Sequence, residues 1–447
     1  MLELCSRGFS FKATMEIALG IFNSIIIFLV AFWVQKKYAS RSVKLYWSAL
    51  FLKIIAAISL GLLYKFHYSG GDTWTFFNEA TKLSALARFD FAEYLKVFFS
   101  NHDPSTVGNV LYVHDRSALF IKFISIFCLV SLNSYWICAT YFALVSFFST
   151  WFLYKQAVYF LHDSAKAAAV ALFFFPSVVF WGSGLLKESL ALSGIYFITA
   201  IFLKFAYRSK IIWTEWLLAL LFMIITWWLK YYWAAIFFVV ILTSVIVILI
   251  RRRVPLTKGR IVLAWLFFFL LICVLASFAH PNFYLERFLG VLVSNHDQFV
   301  AISDPENTIG YYNLQPKLWS VLLNSPWALL SGLFRPLFFD ATDILSLPYS
   351  IENFVLLLLT ISFLFSYKWD WWKPKSDRFK RSEIYTLWLL PILIYCALLC
   401  ILLSISTPNF GTLSRYRIGF LPFLVFALAY RNPLINYLLG LSAIFKK

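Results

Sequence analysis

The chain has 447 residues, of which 62% are hydrophobic and only 13% charged, and its mean hydropathy is +0.78. So few charges among long apolar runs exclude a water-soluble protein of this size and indicate a polytopic, all-α integral membrane protein. The formal net charge is +18, but the basic residues lie in short clusters between the apolar runs. That distribution follows the positive-inside rule and favours anionic lipid headgroups, not nucleic acid, as partners.

Hydropathy predicts a single transmembrane domain over 1–447 with about eleven crossings, within a range of roughly ten to thirteen. Basic clusters after the first span and at Arg251-Arg252-Arg253 mark the cytoplasmic side. The loops 66–116 and 280–325 are therefore predicted to be external. The predicted spans are 17–34, 45–64, 135–154, 167–181, 189–205, 213–229, 233–250, 261–279, 351–367, 387–405 and 418–430.

Two further apolar stretches are predicted to enter the membrane without a regular crossing. The stretch 119–132 is short for a span, and 326–339 is broken by prolines and by Arg335. In the external loop 66–116, apolar residues recur at helical spacing, which predicts amphipathic helices in the plane of the interface. They are Phe77, Ala80, Leu83 and Ala87, then Phe91, Tyr94, Leu95 and Phe98.

The first external loop opens with a short polar motif, His67 to Thr75, in which Gly70 and Gly71 precede Asp72. Two glycines allow a tight turn and close approach of a ligand. A carboxylate at the membrane edge costs free energy unless it has a partner or a task. Asp72 is therefore the predicted catalytic residue, as a general base or as a ligand for a divalent cation, and no other cofactor is predicted.

The alternative for Asp72 is a helix N-cap, since Asp before Thr-Trp-Thr suits one. His67 and Glu79 flank the same motif and are candidate loop or acceptor-binding residues. For Glu79 the alternative is a solvated helix face.

A second charged motif, Lys187-Glu188, follows a Gly-Ser-Gly break between two apolar stretches. Charges are costly there, which suggests that Lys187 binds a phosphate oxygen while Glu188 orients it or assists as acid or base. The alternative is a neutralised pair that snorkels at a helix end.

Three arginines complete the predicted site. Arg335 precedes Pro336, and Arg415 and Arg417 flank Tyr416, itself a candidate acceptor-binding residue. The guanidinium group suits phosphate, and basic residues on the external side run against the positive-inside rule. For Arg415 and Arg417 the alternative is ordinary headgroup contact. In the predicted topology all of these motifs are external.

At these motifs the chain resembles the GT-C type of membrane glycosyltransferase and bacterial membrane proteins of surface-polysaccharide assembly. The resemblance to the GT-C type rests on Asp72 in the first large external loop, the interfacial helices that follow, and Lys187-Glu188 in the next external turn. The resemblance to surface-polysaccharide assembly proteins rests on the stretches from Phe180 to Glu188 and from Asn409 to Arg417. The chain differs from the GT-C type in having two predicted helices, not one, before the acidic loop. It also departs in that Asp72 has no neighbouring acidic residue, which argues against a metal-dependent mechanism.

The resemblance implies transfer of a sugar from a polyprenyl phosphate on the external face of the bacterial inner membrane, in cell-surface glycan assembly. In an inverting transfer Asp72 would deprotonate the acceptor hydroxyl. The departing polyprenyl phosphate would be bound by Lys187, Arg335, Arg415 and Arg417.

Three other functions are compatible with the sequence. A polymerase or ligase would join lipid-linked oligosaccharides, and would make long repeats where a single-sugar transferase adds one sugar. A lipid or glycan transporter would predict pseudo-symmetric halves and a charged pathway at mid-membrane depth, and neither is visible. A non-catalytic scaffold would tolerate substitution of Asp72 and Lys187. The absence of P-loop, Rossmann, G-x-S-x-G and H-E-x-x-H motifs argues against an ATP-driven pump or a soluble-type hydrolase.

Overall fold

The computed structural model describes residues 2–68, 71–99, 115–279, 281–340, 344, 346–369 and 382–440. Helix is the regular secondary structure throughout these ranges, and one isolated bridge joins Thr308 to Asn409. Eight of the described helices are long and apolar enough to cross a membrane, or nine crossings if the bent pair Phe410–Gly419 and Leu421–Ala429 counts as one. The protein is therefore an all-α integral membrane protein.

The helices, in chain order, are α1 (Leu2–Tyr38), α2 (Val43–Phe66), α3 (Gly71–Phe89), α4 (Phe91–Phe99), α5 (Asp115–Ser131), α6 (Tyr135–Phe160), α7 (Ala165–Ala169), α8 (Pro176–Trp181), α9 (Lys187–Ala206), α10 (Trp213–Leu229), α11 (Tyr231–Arg253), α12 (Lys258–Ala279), α13 (Leu285–Ala301), α14 (Leu318–Phe334), α15 (Leu347–Trp369), α16 (Ser382–Ser406), α17 (Phe410–Tyr416), α18 (Leu421–Ala429) and α19 (Pro433–Gly440).

The predicted count of about eleven crossings is not confirmed. The predicted span 167–181 is interrupted, because α7 continues only as a π-helical turn to Phe174, and Phe175 is extended before Pro176. Proline lacks an N–H and disfavours helical backbone at the residue before it, which explains the break. The predicted span 213–229 is a helix of 17 residues, shorter than a typical crossing.

The chain forms two compact units: residues 1–151 with 179–193, and residues 152–178 with 194–447. In the first unit α3 packs against α2 and α5. The predicted apolar face of α3 is confirmed, since Phe77, Ala80, Leu83 and Ala87 are all buried. Helices α3 and α4 occupy part of the predicted loop 66–116, but of the predicted α4 face only Tyr94 is buried, while Phe91 and Leu95 are exposed. Residues 100–114 lie outside the described residues.

In the second unit α16 is the central helix and contacts α11, α12, α13, α14 and α18. The polar loop predicted at 280–325 contains the 17-residue helix α13, whose buried side is formed by Leu289, Leu292 and Val293. The predicted break at Pro326 is wrong, because α14 runs through this residue to Phe334. The helical backbone ends instead at Arg335, which is extended and precedes Pro336.

The close approach of α14 to α16 requires a glycine. A Cβ atom at Gly332 would overlap Ser404 Oγ and lie 2.7 Å from Cys400 Sγ, whereas one at Gly290 on α13 would meet nothing within 4 Å. We expect Gly332→Ala to lower the free energy of unfolding by about 1–3 kcal/mol, because Ser404 and Cys400 must change rotamer or the helices must separate. The matched control Gly290→Ala should leave it unchanged or raise it by up to about 1 kcal/mol. Equal thermal midpoints for the two purified variants would contradict this expectation.

Candidate functional site

Asp72 lies in the first turn of α3, one residue after Gly71. Gly71 has a φ of +42°, and a Cβ there would lie 2.6 Å from the Tyr64 ring, so the position needs glycine. Asp72 is exposed, and the positive end of the helix dipole stabilises its negative charge. It lies inside the helix and not at the residue before it, so it is not the helix N-cap. Ser69 and Gly70 of the motif lie outside the described residues.

The residues directly after Asp72 fix the start of α3. The Thr73 and Tyr135 hydroxyls are 2.8 Å apart in a buried hydrogen bond, and Trp74 Nε1 donates to the Gly61 carbonyl at 3.0 Å. The Trp74 and Tyr135 rings stack with centroids 4.0 Å apart. These contacts hold the first turn of α3 against α2 and α6, so the position of the Asp72 backbone is determined by buried neighbours.

Lys187, at the start of α9, lies beside the same turns of α3. Its Nζ donates to Ser117 Oγ at 2.8 Å and is 4.5 Å from the centroid of the Phe76 ring. Phe76 is one helical turn after Asp72 and on the same face of α3. Lys187 is half-buried and Asp72 exposed. Lys187 therefore contacts α3 one helical turn after Asp72.

Glu188 is fully buried in the first turn of α9. The positive end of the helix dipole stabilises a carboxylate at this position. Because its side chain is shielded from solvent, the arrangement favours the orienting role over direct proton exchange with bulk water.

The break before α9 is fixed by a polar cluster that was not among the predicted site residues. The Gly182 carbonyl accepts hydrogen bonds from Ser146 Oγ at 2.6 Å, Ser189 Oγ at 3.2 Å and Lys53 Nζ at 3.3 Å. Lys53 is fully buried and also donates to Ser146 Oγ at 2.7 Å. A lone lysine in the middle of the apolar span 45–64 was the signal available in the sequence, because such residues rarely lack a function.

The two remaining loop candidates differ from expectation. Glu79 is not on a solvated face: it is 3% exposed, accepts a hydrogen bond from Lys82 at 2.9 Å, and its Oε2 has no hydrogen-bond partner among the described residues. Glu79 lies on the buried side of α3 with Phe76, Ala80 and Leu83. His67 caps the C-terminus of α2 through its backbone N–H, and its exposed ring contacts Tyr68.

In the second unit, two of the predicted arginines are bound to carboxylates. Arg335 forms a bidentate pair with Asp340, with Nη2 2.6 Å from Oδ1 and Nε 3.2 Å from both oxygens. Burial would raise the pKa of Asp340, but hydrogen bonds from Arg335 and from the Leu337 N–H outweigh it and hold the pKa below its ordinary value. The Arg335 guanidinium also lies 5.0 Å from the centroid of the Phe410 ring on α17.

Arg417 is buried in a second ion pair. Its Nη2 donates to Glu352 Oε1 at 3.0 Å, and the same carboxylate accepts from the Ser177 backbone N–H and hydroxyl, both at 2.6 Å. Asn353, the next residue, donates to the Pro336 carbonyl at 2.8 Å. Glu352 and Asn353, near the start of α15, therefore contact Arg417 and the Arg335-Pro336 segment, respectively. The charge of Arg417 is neutralised by Glu352 and that of Arg335 by Asp340.

The third arginine and Tyr416 lie near Lys230, a lysine that was not a predicted site residue. Lys230 Nζ is 3.8 Å from the centroid of the Tyr416 ring and 3.1 Å from the Tyr232 hydroxyl. The Arg415 guanidinium is 5.9 Å from the centroid of the same Tyr416 ring. In the sequence Lys230 is a charged residue within a run of aromatic residues, and that pattern could have identified it as a candidate site residue. A buried cation over a phenol ring gains cation–π stabilisation.

Among the described residues, no three His, Cys, Asp or Glu side chains come together as a metal site. Comparison with protein-family models, curated proteins and solved structures finds no significant match.

The buried pair Glu352–Arg417 predicts a strong loss of stability when either partner is removed. Glu352→Gln and Arg417→Met should each cost about 3–5 kcal/mol, because each leaves a charge buried and unpaired. The double variant should cost much less than the sum. The exposed pair Arg431–Asp163 is the control, since Asp163→Asn should cost no more than about 1 kcal/mol. Additive losses in the double variant, measured as free energies of unfolding in detergent, would contradict the pairing.

The buried contact between Lys53 and Ser146 predicts that the two substitutions have unequal effects on stability. Ser146→Ala should cost about 2–3 kcal/mol, because the buried ammonium loses its nearest acceptor and the Gly182 carbonyl loses a donor. Lys53→Met alone should be close to neutral, since an apolar chain of similar length removes the desolvation cost. In the Lys53→Met background Ser146→Ala should cost about 1 kcal/mol or less. An undiminished cost in that background, measured by unfolding in detergent, would show that Ser146 acts independently of Lys53.

Proposed function

We propose that this protein is a membrane glycosyltransferase that uses a polyprenyl-phosphate-linked sugar in cell-surface glycan assembly. Its site would face the outside of a bacterial cytoplasmic membrane. The observation that supports the proposal is the contact of Lys187 with Phe76 and Ser117, since Phe76 lies one helical turn after Asp72. A base and a phosphate-binding cation at one end of α3 are the two groups that an inverting sugar transfer needs.

The reaction would proceed as one displacement. The acceptor hydroxyl oxygen attacks the anomeric carbon while the bond from that carbon to the phosphate oxygen breaks. The Asp72 carboxylate accepts the hydroxyl proton, and the polyprenyl phosphate leaves with the electron pair. Lys187 donates to the leaving phosphate, where negative charge develops. Asp72 is exposed and can reach a solvent-borne acceptor, which suits the role of base.

The other predicted residues take supporting roles in this proposal. Glu188, buried behind Lys187, orients the start of α9. Arg335 and Arg417 are neutralised by Asp340 and Glu352, so their first role is to fix the second unit. Arg415 and Tyr416 are the candidates in that unit for binding a substrate, and they are tested separately. In this mechanism neither the Asp72 base nor the Lys187 cation requires a divalent cation.

The test is sugar transfer by the purified protein in liposomes, with a panel of undecaprenyl-phosphate-linked radiolabelled hexoses as donors and a bacterial lipid extract as acceptor source. Asp72→Asn should abolish transfer and leave expression intact. Lys187→Met should lower the rate about 10²- to 10³-fold, as loss of one donor to a developing charge does. Arg415→Met should weaken donor binding more than it lowers the maximal rate.

Glu93→Gln and Lys96→Met are the matched controls, because this exposed ion pair lies on the surface of α4 in the same loop region. Both should keep wild-type rates. Full activity in Asp72→Asn would overturn the catalytic assignment. Loss of activity in the controls equal to that in Lys187→Met would show that the loop region, not the charge, is required. Products extended by whole oligosaccharide repeats would identify a polymerase.

A further inference from the structure

Two cysteines of the first unit bring their sulfur atoms into contact across the turn between α5 and α6. Cys128 Sγ lies 3.8 Å from Cys138 Sγ, although the residues are ten positions apart in the chain. Cys128 comes three residues before the end of α5 at Ser131, and Cys138 comes three residues after the start of α6 at Tyr135. Both side chains are buried, and both are free thiols in this structure. The two thiols therefore face each other close to the ends of adjoining helices.

The turn between these helices fixes the backbone at both cysteines. Asn133 has a φ of +64°, a left-handed conformation that asparagine adopts more readily than most residues. The Cys128 carbonyl accepts hydrogen bonds from the Asn133 N–H at 3.0 Å and from Arg88 Nη2 at 3.1 Å. The Cys138 N–H donates to the Ser134 carbonyl at 3.0 Å. The approach of the two sulfurs is thus a property of the hydrogen-bonded turn.

A buried hydroxyl group accompanies the sulfur of Cys138. Ser131 Oγ lies 2.9 Å from Cys138 Sγ, so the two side chains form a hydrogen bond. Thiol–disulfide exchange proceeds through thiolates, which act both as nucleophile and as leaving group. A hydroxyl that donates to a thiolate stabilises this charged form. Ser131 therefore favours reaction at Cys138, next to the sulfur of Cys128.

The other pair of buried cysteines in the described part of the chain has a different geometry. Cys396 and Cys400 lie four residues apart on α16, and their sulfurs contact the carbonyls of Phe420 and Leu329, at 3.5 Å and 3.7 Å respectively. Side chains four residues apart on a helix have Cβ atoms about 5–6 Å apart, whereas a disulfide requires about 3.5–4.5 Å. This pair cannot be bridged while α16 stays helical, and it provides a matched control.

We propose that Cys128 and Cys138 form an intramolecular disulfide that joins α5 to α6. The oxidant is a disulfide, supplied by a thiol–disulfide oxidoreductase or by a small molecule. The Cys128 thiolate attacks this disulfide, forms a mixed disulfide and releases one thiolate of the oxidant. The Cys138 thiolate then attacks the Cys128 sulfur and expels the second thiolate. The two cysteines are oxidised, and their two protons end on the two sulfurs of the reduced oxidant.

The place of this reaction in folding follows from the burial of both sulfurs. Because α3 packs against α5 in the folded chain, the exchange would take place while the α5–α6 hairpin forms and before α3 covers it. Closing so short a loop costs little chain entropy, so the two sulfurs can meet early. The start of α6 is on the predicted external side, and disulfides persist in oxidising compartments outside the cytoplasm.

The disulfide would join the two helix ends that hold α3. The Thr73 and Tyr135 hydroxyls are 2.8 Å apart, and Ser84 Oγ donates to Asn133 Oδ1 at 2.7 Å. A covalent link beside the turn restricts the unfolded chain and thereby stabilises the folded one. The bond would therefore stabilise the support of α3, and this inference is independent of the proposed sugar transfer.

The experiment maps the cysteines of the full-length protein by mass spectrometry. Membranes from a bacterial expression host are quenched with acid, denatured and alkylated with N-ethylmaleimide, so that only free thiols react. Reduction and a second, deuterated maleimide then label the cysteines that were bonded. A second sample is the purified protein in detergent, equilibrated with oxidised glutathione as the disulfide oxidant. The variants are Cys128→Ala and the matched control Cys396→Ala/Cys400→Ala.

In the wild type and the control variant we expect Cys128 and Cys138 to carry the second label and the remaining cysteines the first. Chymotrypsin cleaves between the two residues, so unreduced protein should yield two peptides joined by the disulfide. The joined peptides in either sample support the assignment. Reduction should lower the thermal midpoint of the wild type and of the control variant by about 3–6 °C, and leave that of Cys128→Ala unchanged.

Three results would overturn the proposal. Complete alkylation of Cys128 and Cys138 by the first maleimide in both samples would show that the pair stays reduced. Linkage of either residue to a different cysteine would show that the contacting sulfurs are not the bonded ones. An equal fall in thermal midpoint when Cys128→Ala is reduced would show that the reductant acts elsewhere. The joined peptides are sought in the wild type, so this part of the test does not depend on the folding of a variant.

Discussion

The free-energy cost of removing a charge from water determines where the charged side chains of this protein lie. A buried ion costs several kcal/mol unless a partner and further hydrogen bonds compensate it. Glu352 meets this requirement completely, because it accepts from Arg417 and twice from Ser177. Arg335 meets it through both oxygens of Asp340. Both arginines were predicted as phosphate ligands, and both are paired with a carboxylate within the protein. These two ion pairs therefore explain why the arginines occur in an apolar chain, and the explanation does not need a bound substrate.

Lys53 is also a buried charge, but its hydrogen-bond acceptors among the described residues are uncharged groups and not a carboxylate. Its ammonium donates to a serine hydroxyl and to the Gly182 carbonyl, which lies at the break before α9. A carbonyl with three donors is strongly constrained, and Lys187 follows it by five residues. The orientation of Lys187 toward Phe76 and Ser117 therefore depends on a buried residue far away in the sequence. In the first unit the buried Lys53 thus constrains the backbone before α9, and that backbone positions Lys187.

Local features of the fold could be predicted from the sequence, and non-local ones could not. Apolar length identified the long helices, and helical spacing identified the buried face of α3, because both depend on neighbouring residues. The partners of Arg417 and Lys53 are many residues away in the chain, and no spacing rule reveals them. The helix α13 lies in a predicted loop, because seven of its 17 residues are polar or charged and only Leu289, Leu292 and Val293 are buried. Hydropathy alone predicts a crossing through Pro176, and the structure breaks it there.

The arginines of the second unit fall into two environments, and the difference bears on function. Arg335 and Arg417 have carboxylates of the protein within hydrogen-bond distance, so an external anion would have to compete with a partner held by the fold. Arg208 and Arg252 line a pocket at the C-terminal ends of α9 and α11, and the described side chains of its wall include no carboxylate. The two paired arginines are therefore accounted for by the fold, because each is bound by a carboxylate of the protein.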